Sequence, residues 1–222
     1  MKLILSALGA TAFLATPAMA ATVTFPLNPN DPGGPSVTVD ESAFADRVVS
    51  VDQTQEPAAP GLDDPDAVLG APDYDAGGSG PDDTGAFSLG EGGSITIEFT
   101  DNFLTVSGDD ANDLFIGEIG SVVETINIEI SANGTDFISV GSLVDQNREI
   151  DIDAFLTAGD PTIFRFVRIT DLIGQPSNQG SNPGADIDFV AALSSTEIPL
   201  PAGFVLFGTA AGLFAARRKL SA

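Results

Sequence analysis

The chain has 222 residues, with no cysteine, histidine or tryptophan, and 32 acidic residues stand against eight basic ones. Without cysteine there is no disulfide, thiolate metal site or cysteine nucleophile; without histidine, Ser-His-Asp catalysis, histidine zinc sites and the commonest general base near neutral pH are excluded. A net charge of −24 repels nucleic acid and anionic membrane surfaces and concentrates cations.

Residues 1–20 read as a signal peptide, with Lys2, an apolar stretch over 3–14, and small residues Ala18 and Ala20 at the positions a signal peptidase reads. The stretch falls short of the roughly 20 residues a membrane span needs, and Pro17 breaks it, so cleavage after Ala20 is expected. Residues 21–62 are expected to hold N-terminal strands and an acidic linker, since 53–64 is rich in proline, alanine and acid and lacks periodicity.

Residues 63–196 carry an all-β pattern, in which glycine and proline punctuate short runs rich in valine, isoleucine, phenylalanine and threonine. Ile95, Ile97 and Phe99 alternate with Thr96 and Glu98, and Ile126, Ile128 and Ile130 with Asn127 and Glu129, so each run should bury one face and wet the other. Further strands are expected over 86–89, 114–119, 137–140, 148–152, 164–169 and 187–193, and a loop over 74–85. Asn133-Gly134 is a hairpin signal, because both residues tolerate the positive φ of tight turns. About eight such strands predict an antiparallel β-sandwich or jelly roll. Between the two ends of the chain, over 21–197, four arginines, Arg47, Arg148, Arg165 and Arg168, face all 32 acidic residues and leave this exported body at −28. That charge admits a solvated acidic surface, specific divalent-cation sites, or both.

Residues 197–222 form a second three-part device: Ile198, Pro199, Leu200, Pro201 and Ala202, an apolar helix over 203–216, then Arg217, Arg218 and Lys219. Fourteen helical residues rise only about 21 Å against a hydrocarbon core of about 30 Å, which suits a temporary anchor. The basic end should stay cytoplasmic by the positive-inside rule, which puts the body on the outer face. The motif resembles the VPLPA variant of PEP-CTERM sorting tails, with Ile198 at the valine position. That resemblance implies recognition and cleavage by an exosortase, transient residence in the inner membrane, and then release to the cell surface or beyond.

The body resembles the discoidin-like members of the galactose-binding-like jelly rolls. Asp66-Ala67-Val68-Leu69-Gly70-Ala71-Pro72-Asp73 is similar to their opening segment, the turn at Asn133-Gly134 with Phe137 to their central hairpin, Phe166-Val167-Arg168-Ile169 to their arginine-bearing late strand, and Ala185-Asp186-Ile187-Asp188-Phe189-Val190 to their closing strand. The resemblance implies a module that binds sugars, lipids or proteins through loops at one end of the sandwich, often with one structural calcium. The chain departs from the family in having no tryptophan and a single tyrosine, Tyr74, where sugar platforms use exposed rings.

Candidate ligands for calcium are carboxylates, hard oxygen donors. Asp109-Asp110-Ala111-Asn112-Asp113 with Glu118 offers one group, and Asp186 with Asp188, two residues apart on one strand face, offers another; the expected set is Asp113, Glu118, Asp186 and Asp188. Arg168 is expected to bridge to Asp186 or Asp188, or to meet a ligand. No residue earns a catalytic role. The expected function is a non-enzymatic adhesion or matrix-binding module stabilised by calcium, with extracellular polysaccharide or other surface proteins as partners. A secreted carboxylate-dependent glycoside hydrolase and a purely structural exoprotein remain open as alternatives.

Overall fold

The computed structural model describes residues 21–26, 33–53, 61–74, 85–119, 124–143, 148–175 and 183–198. The expected signal helix and C-terminal hydrophobic helix lie outside the described residues. The body is all-β, and every named strand pairing in it is antiparallel.

Two sheets make the sandwich. One orders β3 (Arg47–Asp52), β5 (Ser94–Glu98), β12 (Phe166–Asp171), β8 (Ile126–Ser131) and β9 (Ile138–Leu143) from edge to edge. The other orders β10 (Arg148–Ile150), β7 (Leu114–Ile119), β13 (Asp186–Ala192) and β4 (Phe87–Ser88). A small sheet of β11 (Ile163–Phe164), β6 (Asn102–Thr105) and β14 (Ser195–Glu197) accompanies them, and β1 (Thr22–Pro26) pairs with β2 (Ser36–Asp40). The 21–62 stretch thus contributes strands directly, since β3 extends the five-stranded sheet through its pairing with β5.

Alternation places the core. Ile95 and Ile97 of β5, Ile126, Ile128 and Ile130 of β8, and Val167 and Ile169 of β12 meet Leu114 and Ile116 of β7 and Ile187 and Val190 of β13 in one buried cluster between the sheets. In β5 the expected wet face is buried too, at Thr96 and Glu98, and β7 does not alternate at all, because all six of its residues are buried. Its outer face is covered by the β1–β2 pair: Phe25, Phe44, Phe115 and Phe189 form a second buried cluster with Ala191, flanked by Val23, Val37 and Val39. Phe25 meets Phe189 edge-on at 4.7 Å between centroids, and Phe115 stacks on Phe189 at 5.4 Å. Such ring pairs add about 0.5–1.5 kcal/mol beyond the area they bury. Gly117 makes room for this packing, since a Cβ there would run into the Phe189 ring.

The outer face of the five-stranded sheet is polar. Glu98 is almost fully buried, and it accepts from Arg165 at 2.6 Å on Oε1 and from Arg47 on Oε2. Two guanidinium groups thereby compensate one buried carboxylate. Arg168 lies over the Phe137 ring at 3.6 Å and donates to Glu129 at 3.3 Å. The loop after β8 is longer than a two-residue hairpin: only Gly134 takes positive φ, at 77°, and Asn133 closes the loop with its side chain. Asn133 Oδ1 accepts from the backbone N–H groups of Thr135 and Asp136, each at 2.9 Å.

Packing around Gly117 is testable by urea unfolding. Gly117→Ala should cost about 1–3 kcal/mol through overpacking, and Phe189→Ala about 3–5 kcal/mol through the cavity it leaves. The double variant should lose less than the sum of the two, because removing the ring opens the space the new methyl needs.

Candidate metal centre

Asp113, just before β7, is fully buried, and main-chain amides hold both of its carboxylate oxygens. Oδ1 accepts from Ser107 N at 2.7 Å and Oδ2 from Ile152 N at 3.0 Å. Its own carbonyl accepts from Leu193 N at 2.7 Å and Ser194 N at 3.1 Å, so one residue ties together the 107–113 loop, the chain after β10 and the end of β13. Burial pushes the Asp113 carboxyl up from its ordinary range, the bonds from Ser107 and Ile152 pull it down, and the charge of Asp153 adds to the rise.

Asp153 accepts from Gly108 N at 2.9 Å, and Asp151 from Asp153 N at 3.0 Å. Asp113, Asp151 and Asp153 each present one carboxylate oxygen, and these oxygens lie within 4.8 Å of one another. An all-oxygen donor set with no histidine or thiolate suits a hard cation, the class to which calcium belongs. Sequence reading found Asp113 but missed Asp151 and Asp153, whose Asp-Ile-Asp spacing is the same signal that drew attention to Asp186 and Asp188.

The four carboxylates expected as calcium ligands do not form one site. Glu118 lies five residues along β7 from Asp113, roughly 16 Å away at about 3.3 Å per residue, and no single ion spans that distance with ligands at about 2.4 Å. Glu118 is buried opposite Ile187, whereas Asp186 stands opposite Ile119 on one side and Ser88 on the other. A bulge falls between Ile187 and Phe189, so Asp188 is the extra residue and the two-residue rule for a shared strand face does not hold across it.

Asp186 and Asp188 have different neighbours. Burial pushes the Asp186 carboxyl up to about 6 against a hydrogen bond from Ser88, with the charges of Glu124 and Asp171 adding to the rise. Burial raises Asp188 to about 7, opposed by the amides of Asp73, at 3.3 Å, and Tyr74, with the Asp73 charge adding. Arg168, expected to bridge to one of them, instead pairs with Glu129. The reason is topological: Arg168 stands opposite Thr96 and Glu129 in the five-stranded sheet, whereas β13 belongs to the other.

At the other end of the described chain, Ile198 N donates to Asp101 O at 2.9 Å, directly after β14. Pro199, Leu200, Pro201 and Ala202 and the basic end Arg217, Arg218 and Lys219 lie outside the described residues. Among the described residues no helix is long and apolar enough to cross a membrane.

No protein-family model matches the sequence, and no curated protein does. Among solved structures the chain is similar to CBM32-3, from a family 31 glycoside hydrolase of Clostridium perfringens, at 14% identity and a TM-score of 0.30, over 69% of this chain and 94% of that one.

The raised carboxyls set a pH dependence. The folded state holds protons on Asp186 and Asp188 at pH values where the unfolded chain, with carboxyls near 3.8, has lost them. Stability in chelator should therefore fall as pH rises from about 4 to about 7. Thermal melts across that window should show the decline, and Asp188→Asn should flatten its upper part.

Proposed function

We propose that the chain is an exported, non-enzymatic adhesion or matrix-binding module. In this reading an exosortase processes it at the Ile198–Ala202 motif after a transient stay in the inner membrane, it then resides at the cell surface or outside the cell, and calcium stabilises its sandwich. The observation that supports it most is the Asp113–Asp151–Asp153 group, whose oxygens converge where two loops and the end of β13 meet. Calcium bound there would cross-link these segments, a role that disulfides serve in many exported domains. The carboxylates of this group hold backbone amides, which is the work of a scaffold. Extracellular polysaccharide or other surface proteins are the partners this reading assigns, and its acidic body takes no nucleic acid.

Thermal unfolding of the full chain tests the calcium. At free calcium near a hundred times Kd the midpoint should rise by roughly 5–10 °C over the chelated protein. Asp151→Asn should remove most of that rise. A shift no larger than that from sodium chloride of matched ionic strength would remove calcium from the account.

The tail is tested in the producing cell by fractionation and intact mass. Wild-type product should end near Ala202, and a Pro199→Ala/Pro201→Ala variant should accumulate in the membrane fraction with 203–222 still attached. An unshortened wild-type product would overturn the sorting reading and leave the calcium result standing.

A further inference from the structure

Between the β8–β9 loop and the chain entering β11 lies a recess of about 290 Å³. Ala132, Ile138, Pro161 and Phe164 give it carbon walls, Phe137 adds a ring, and Asn133, Asp136 and Asp160 supply its polar groups. Both carboxylates are fixed from within their own loops. Asp136 Oδ2 accepts from Asn133 Nδ2 at 2.8 Å, and Asp160 Oδ2 accepts from both Thr157 N and Thr157 Oγ1 at 2.7 Å. The Thr157 bonds hold the Asp160 carboxyl below its ordinary range, so it is charged at any physiological pH. Among the described residues no donor reaches Oδ1 of either aspartate.

The lining selects the ligand. Asn133 gives one amide N–H to Asp136 and keeps the second, so among its side chains the recess sets one donor against two carboxylates. A neutral sugar would leave the negative charge of both carboxylates unmatched there. A calcium ion needs six to eight oxygens, and a mostly carbon wall does not provide them. A charged N–H donor on an apolar stem satisfies both halves of the lining, with charge-assisted bonds to two carboxylates and methylenes against Pro161, Ile138 and Phe164. Arg168 lies over Phe137 and pairs with Glu129, and Arg165 pairs with Glu98, so the ion pairs of these two arginines are with glutamates and not with Asp136 or Asp160. A body at −28 further raises the local concentration of cations.

We propose that this recess binds a primary ammonium on a methylene stem, the chemistry of a partner protein's lysine side chain. The proposal goes beyond the adhesion reading and does not require the calcium or the tail.

The test is titration of the full chain with N-acetyl-lysine methylamide, followed by amide chemical shifts, with N-acetyl-norleucine methylamide and glucosamine as comparators. The lysine compound should shift amides within 132–138 and 157–164, more weakly at high salt, and Asp136→Asn should weaken it by at least about tenfold. Asp160→Asn should do the same; if its melt shows that the Thr157 loop has loosened, Asp136→Asn carries the result alone. Equal binding of the norleucine compound, tighter binding of glucosamine, an unchanged affinity in Asp136→Asn, shifts spread evenly over the acidic surface, or no response at all would each overturn the proposal.

Discussion

The structure depends on burying the β7–β13 pair on both faces. All six residues of β7, and β13 from Ile187 on, are buried, a demand that a half-wetted antiparallel strand does not make. The five-stranded sheet covers one side. The other is covered by β1 and β2, whose Phe25 enters the ring cluster of Phe44, Phe115 and Phe189. Gly117 lets the Phe189 ring lie flat against the neighbouring strand. The N-terminal pair is thus part of the core, although it hydrogen-bonds into neither main sheet.

The second organising fact is how a chain with few cations uses its carboxylates. Three arginines are spent on the outer face of one sheet, with Glu98 and Glu129. Elsewhere, carboxylates turn to backbone N–H groups. Asp46 takes the amide of Thr100, Asp113 those of Ser107 and Ile152, Asp171 those of Gly92 and Ala185, and Asp188 that of Asp73. These charge-assisted bonds fasten loops that no disulfide can fasten. Their cost appears at Asp186 and Asp188, where burial outweighs the bonds they receive.

The alternating runs made most of the sandwich legible in the sequence, because Ile95, Ile97, Ile126, Ile128 and Ile130 declare their buried face without reference to any partner. β6 and β14 were not legible: Asn102–Thr105 and Ser195–Glu197 are too short to show a period, and only pairing with each other and, for β6, with β11 defines them. The bulge at Asp188 and the choice of Glu129 by Arg168 depend on register between strands distant in sequence, which periodicity does not encode. The same gap explains the metal reading, which joined Asp113 to Glu118 along one strand when the fold brings it Asp151 and Asp153 from another segment.

The exit of the chain has a mechanical consequence. If the body is ever held by its C-terminal end, tension enters at Ile198 and meets first its single bond to Asp101 and then the three pairs of β14 with β6. Loaded from that end, those bonds break one after another instead of together, so the strand peels at low force. Peeling stops at Leu193 and Ser194, whose amides are both anchored on the carbonyl of Asp113. The body thus carries a short yielding strap ahead of a fixed knot, and a pull on the tail would lengthen the tether by a few residues before it reached the sandwich.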